Sequence, residues 1–224
     1  MNAPATAART ALRSAAAMLA FTLVFTALMA FTHACTRPAI EASAQQAQMR
    51  LIDEVLPPGS YDNALLDDAV LLGPTPALGL DGGGRAWRAR KAGEPVALIV
   101  EASAPDGYAG RISMVVAVGA DGRLSGVRIT AHKETPGLGD YIDPNKDRRK
   151  DLPWISQFAG TAWKDVDAAR WAVRKDGGSF AYRSGATISA RAVVGAVGRA
   201  TAWAAAHHDA LFIAPAGSTF GAQP

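Results

Sequence analysis

The sequence predicts an α+β fold: one domain of antiparallel strands flanked by helices, carried on a single N-terminal transmembrane helix. Three observations predict it. Residues 14–34 read SAAAMLAFTLVFTALMAFTHA, 21 residues in which His33 is the only titratable side chain. Between residues 86 and 130, β-branched or alternating runs follow one another across glycine-bearing turns. In ISARAVVGAVGRATAWAAAHH (188–208), Val193, Val194, Val197 and Ala204 fall on one helical face, with Arg191 and Arg199 on another.

Taken in order, the elements are as follows. About 20 apolar residues cross a bilayer as a helix. Arg9 and Arg13 precede the run and only Arg37 follows it closely. Residues 1–13 are therefore expected as a cytoplasmic tail, 14–35 as the transmembrane helix, and the remainder as exported. The run is longer than the roughly 7–15 apolar residues of a cleaved signal peptide. THAC resembles a lipoprotein box only superficially, since Thr32 and His33 fit it poorly, and Cys35 is the sole cysteine, so no intrachain disulfide forms. Ile40, Ala44, Ala47, Leu51, Ile52 and Val55 recur at helical spacing until Pro57-Pro58-Gly59, which predicts a stalk helix within 36–58.

The exported domain is expected over 59–210. Its first part, 60–86, is turn-rich and ends in LDGGGR; no Lys-Ser/Thr follows these glycines, so they read as a loop rather than a phosphate cradle. AWRARK, PVALIVEAS and RISMVVAV read as strands, and GADGRLSGVRIT returns across an Asp121-Gly122 turn. PWISQFAG (153–160) suits a short helix opened by proline. DAARWAVRK (167–175) is expected to add a strand closed by Gly177-Gly178, and DPNKDRRKD (143–151) reads as a solvated loop. The tail 211–224 is expected to be flexible.

Composition narrows the function. Hydrophobic residues make up 49% and charged residues 19% of the chain, as in a globular protein. Of the 23 basic residues three lie in 1–40, leaving 20 against 20 acidic residues in the rest, so the domain has no basic excess for nucleic acid. No GxSxG, HExxH or CxxC occurs, and adjacent His207 and His208 point about 100° apart on a helix. Neither a hydrolase nor a metalloenzyme is indicated.

Two segments remain. AHKETPGLGD (131–140) is either a tight turn leaving the sheet or a place where the backbone approaches a flat ligand. In the second case Leu138 lies against its face, with Glu134 and Thr135 at its polar edge. In KDGGSFAYRSGATIS (175–189), Thr187 or Ser189 would cap the following helix, a role that leaves Gly185-Ala186 unexplained.

SGATIS, with KDGGSF upstream and ARAVVGAV downstream, resembles the flavinylation site of the FMN-binding domain family. More closely, KETPGLGD together with SGAT and RAVVGAV resembles the G-subunit family of the Rnf (Rsx) electron-transport complex, and the chain is similar to the C subunit of sodium-pumping NADH:quinone reductase. The resemblance implies a periplasmic FMN-binding domain at 59–210, with FMN joined through its phosphate to the Thr187 hydroxyl by a separate flavin transferase that uses FAD as donor. It implies that Ser184, Gly185 and Ala186 form the attachment motif, that Glu134, Thr135, Gly137 and Leu138 border the isoalloxazine, and that Lys175 offers it a cation or hydrogen bond. It also implies a bacterial inner-membrane location, other membrane subunits as partners, and electron relay between NADH and ferredoxin coupled to ion movement, or toward a redox-sensing regulator. No independent catalytic activity is expected of such a protein. The family signature carries Asp three positions before the motif's Ser/Thr, where this chain has Ala181. That departure keeps a flavin-free assembly module open as an alternative, beside an FMN-binding subunit of another respiratory reductase.

Overall fold

The computed structural model describes residues 3–221, with side chains from residue 9 onward. Met1 and Asn2 of the expected cytoplasmic tail, and residues 222–224 of the expected flexible tail, lie outside the described residues. Two compact units are present, residues 1–47 and 48–224.

The first unit is helical. Helix α1 spans Ala3–Asp53, and its stretch from Arg9 is long and apolar enough to cross a membrane. Phe21, Val24, Leu28 and Phe31 are all exposed in the isolated chain. The separate helices expected over 14–35 and 36–58 are one. Pro38 lies inside it, removing one backbone donor without ending the helix. The helix stops at Asp53, before the Pro57-Pro58-Gly59 signal.

The second unit is built on a six-stranded sheet of order β5-β4-β3-β2-β1-β6. Its strands are β1 (Ala69–Leu72), β2 (Gly84–Lys91), β3 (Glu94–Gly107), β4 (Gly110–Gly119), β5 (Leu124–Ala131) and β6 (Thr219–Phe220). Strands β1 to β5 form an antiparallel meander, and β6 joins β1 in parallel. Alternation along the strands supplies two cores. Ala86, Leu98, Val100, Met114 and Val116 face α2 (Thr187–Ile213), whose Val193, Val194 and Val197 are fully buried. Trp87, Ile99, Val115 and Ala117 face the other way, against Ile52, Val55, Leu56 and Leu65. Covering both faces explains why β3 and β4 read as nearly continuous apolar runs.

Three expectations are corrected. Residues 167–175 form no strand but two 3-10 turns, Ala168–Arg170 and Arg174–Asp176. What holds the segment is side-chain packing with an isolated bridge: Trp171 stacks on Trp163 and packs on Phe180, and Val173 bridges Phe180. The turn-rich stretch 60–86 contains β1, a strand that its turn residues conceal. The tail expected to be flexible from 211 is tied down, because Leu211 is fully buried and β6 pairs with β1. Arg88 and Arg90 of β2 donate to the last α2 carbonyls, Leu211 at 2.9 Å and Phe212 at 2.8 Å, and Asp68 holds both guanidiniums. PWISQFAG does form its short helix, a 3-10 helix at Trp154–Phe158 preceded by Pro153.

Candidate functional site

The site lies where the segment after β5 meets the start of α2. Strand β5 ends at Ala131, and the chain then makes a compact turn: Leu138 and Gly139 donate their N–H groups to the Thr135 carbonyl, both at 3.1 Å. Gly137 takes a positive φ of 76° and donates to Asp140 at 2.9 Å. Gly139 is required for another reason. A Cβ there would fall 2.6 Å from Ser189 Oγ and 2.7 Å from Glu134 Oε2. A side chain at this position would have to displace the Ser189 hydroxyl and the Glu134 carboxylate, so glycine is what leaves their contact undisturbed.

Opposite it, Gly185 adopts a φ of +88° and sends the chain into α2. The turn is held from below by Tyr141, whose hydroxyl accepts from Arg183 N at 3.2 Å and donates to Ala186 O at 3.4 Å. Burial pushes the Tyr141 phenol up, against the opposing pull of the Arg183 backbone and guanidinium. That guanidinium lies 4.7 Å over the Tyr141 ring and pairs with Asp147.

The N-cap of α2 is Ala186, with no side-chain capping bond, and Thr187 is the first helical residue. The expectation that Thr187 or Ser189 caps the helix is thus corrected. Ser189, two residues further on, is buried and donates instead to Glu134 Oε2. Helix N-termini leave N–H groups unpaired and favour anions, and among the described residues no side chain caps this one.

Between the two turns opens a cleft of about 240 Å³, with Tyr108, Leu138, Ala186 and Ile188 as its apolar walls and Thr135, Thr187 and Glu134 among its polar residues. Leu138, Ile188 and Tyr108 are exposed there. Glu134 is 4% exposed, and its Oε1 accepts from Ala109 N at 3.1 Å. An uncapped helix start beside exposed apolar side chains suits a planar ligand bearing a phosphate, so the residues fit FMN.

Six of the nine residues singled out from sequence line this cleft: Glu134, Thr135, Leu138, Gly185, Ala186 and Thr187. Gly137 shapes the turn without lining it, and Ser184 is exposed just before it. Lys175 is not in the cleft. It sits in an exposed turn whose Asp176 is paired with Arg191 on α2, and that arginine holds the Asp176 carboxyl below the usual range. Sequence reasoning misses Tyr108, Tyr141 and Ile188 as site residues, and reads Ser189 only as a possible helix cap; Ile188 and Ser189 lie inside the SGATIS motif, which is the one signal that could find them. At Ala181, the backbone N–H donates to Gln157 Oε1 at 2.7 Å and the carbonyl accepts from Trp154 Nε1 at 2.8 Å.

Comparison with known proteins agrees with this geometry. A model of the FMN-binding domain matches residues 107–202, and one of the RnfG N-terminal region matches residues 1–55. The chain is 43% identical over 187 residues to the G subunit of an ion-translocating oxidoreductase complex from Pseudoalteromonas atlantica, covering 84% of this chain and 85% of the relative. It is 46% identical over 184 residues to the protein of the same description from Pseudomonas aeruginosa, covering 82% and 84%. To that from Cronobacter sakazakii it is 46% identical over 177 residues, covering 79% and 82%.

Proposed function

The chain belongs to the G-subunit family of the ion-translocating oxidoreductase complexes, and from that premise we propose a membrane-anchored flavoprotein subunit of an Rnf-type complex, with FMN held by a phosphodiester on Thr187. Helix α1 anchors it in the bacterial inner membrane, with the N-terminus cytoplasmic and the folded domain periplasmic. Its partners are the other membrane subunits, and electrons pass through it in the exchange between NADH and ferredoxin that the complex couples to ion movement.

The observation that carries this reading is the setting of the Thr187 hydroxyl. It stands on the first residue of an uncapped helix and in the wall of an apolar-sided cleft. Ser189, the nearest hydroxyl further along the helix, is buried and committed to Glu134. A flavin transferase presented with this surface meets a reachable hydroxyl at Thr187; the threonine oxygen takes the FMN phosphorus from FAD and AMP leaves. The first-turn N–H groups and helix dipole favour the resulting phosphodiester charge by about 0.3–1 kcal/mol. Once bound, FMN supplies the electron-transfer chemistry. Leu138 and Ile188 offer it apolar contact, and Tyr141 keeps the 183–186 turn in place.

The test is the full-length protein made with the transferase and run on a denaturing gel under ultraviolet light. A fluorescent band is expected from the wild type and from Ser184→Ala, and none from Thr187→Ala. A dark wild-type band, with the transferase active on another acceptor, refutes the attachment.

A further inference from the structure

Glu134 is a buried acidic group that the attachment chemistry does not use. Both of its oxygens accept hydrogen bonds, Oε1 from Ala109 N–H and Oε2 from Ser189 Oγ–H. The backbone N–H of Glu134 itself donates to His132 Nδ1 at 3.1 Å. Among the described residues no lysine, arginine or histidine forms an ion pair with this carboxylate. What compensates it is dipolar: the Ala109 backbone N–H and the hydroxyl of Ser189, which stands in the first turn of α2. The glycine at 139 allows this packing, since a Cβ there would clash with both Glu134 and Ser189.

Resting on the reading of Thr187 as the flavin site, we propose that Glu134 sets the reduction potential of the bound flavin, with Ser189 as the residue that positions its carboxylate. Glu134 and Thr187 line the same cleft. Reduction adds electron density to the flavin, and a fixed negative charge in a poorly solvated wall opposes that addition. Glu134 therefore lowers the potential and makes the site a stronger electron donor. Ser189 acts through Glu134, keeping the carboxylate turned toward the helix start instead of outward into water.

Three full-length variants made with the transferase test this, each checked for folding by thermal melting and for FMN on Thr187 by peptide mass mapping. Spectroelectrochemical titration is expected to give a clearly more positive flavin potential in Glu134→Gln. Glu134→Asp, which keeps the charge, is expected to stay near wild type, and Ser189→Ala to shift less than Glu134→Gln. A residue that merely supports the fold gives the reverse order, because Gln matches the shape of Glu better than Asp does. An unchanged potential in Glu134→Gln overturns the proposal, as does a folded Glu134→Gln protein that carries no flavin. Wild-type protein with no flavin on Thr187 refutes the underlying reading instead.

Discussion

Asp147 shows how a single residue can contradict its neighbourhood. It lies in DPNKDRRKD, a stretch that reads as solvated, yet it is fully buried. Burial alone would raise its carboxyl. The N–H groups of Arg149 at 2.9 Å and Trp154 at 2.7 Å, together with the Arg183 guanidinium, outweigh burial and hold it below the usual carboxylate range. A carboxyl lowered in the folded state contributes stability above its unfolded pKa, and that contribution is lost as pH falls through the folded value. Replacing Asp147 by Asn should therefore destabilise the domain by about 2–3 kcal/mol near neutral pH. The difference from wild type should shrink below about pH 4, as urea denaturation across a pH series would read. Because Arg183 also stacks on Tyr141, which holds the Ala186 carbonyl, the same change is expected to loosen the turn before Thr187.

Among the elements, α2 links the site to the sheet. Its start presents Thr187, its middle fills the larger core, and its end is gripped by two arginines of β2. Arg90 also lies 4.9 Å over the Phe212 ring. Arg88 is 3% exposed and shares Asp68 with Arg90. Its removal leaves buried carbonyls and part of a carboxylate without their donor, so Arg88→Ala should cost about 3 kcal/mol. Chemical denaturation measures that loss, and hydrogen exchange at the C-terminal end of α2 should rise with it. The β2 pattern AWRARK was legible as a strand; that its arginines point at a helix end was not, because the partners lie more than 120 residues away.

At the scale of the whole molecule, residues 48–224 form a compact unit with a core on each face of the sheet. That unit includes Gln48–Asp53 of α1, whose Ile52 is buried. A chain beginning at residue 48 is therefore expected to fold, to remain in the aqueous fraction, and to melt cooperatively. The full chain is expected in the membrane fraction, which centrifugation of lysates before and after detergent would show. Loss of folding on removal of 1–47 would contradict the independence of the second unit.

Sequence alone determined what depends on neighbours along the chain. The apolar helix, the four strands β2 to β5 with their Asp121-Gly122 turn, the long terminal helix, and the two motifs that meet at the cleft all rest on short-range periodicity or local turn chemistry. Tertiary structure decided what depends on contacts between distant segments. It paired β6 with β1, buried Asp147, gave 167–175 to 3-10 turns and an aromatic cluster in place of a strand, and left Lys175 outside the cleft. It also joined Glu134 to Ser189 across 55 residues of chain. The physical reason is that side-chain spacing records which face of an element is apolar, whereas a buried polar group's partner is chosen by whichever donors the completed packing brings within reach.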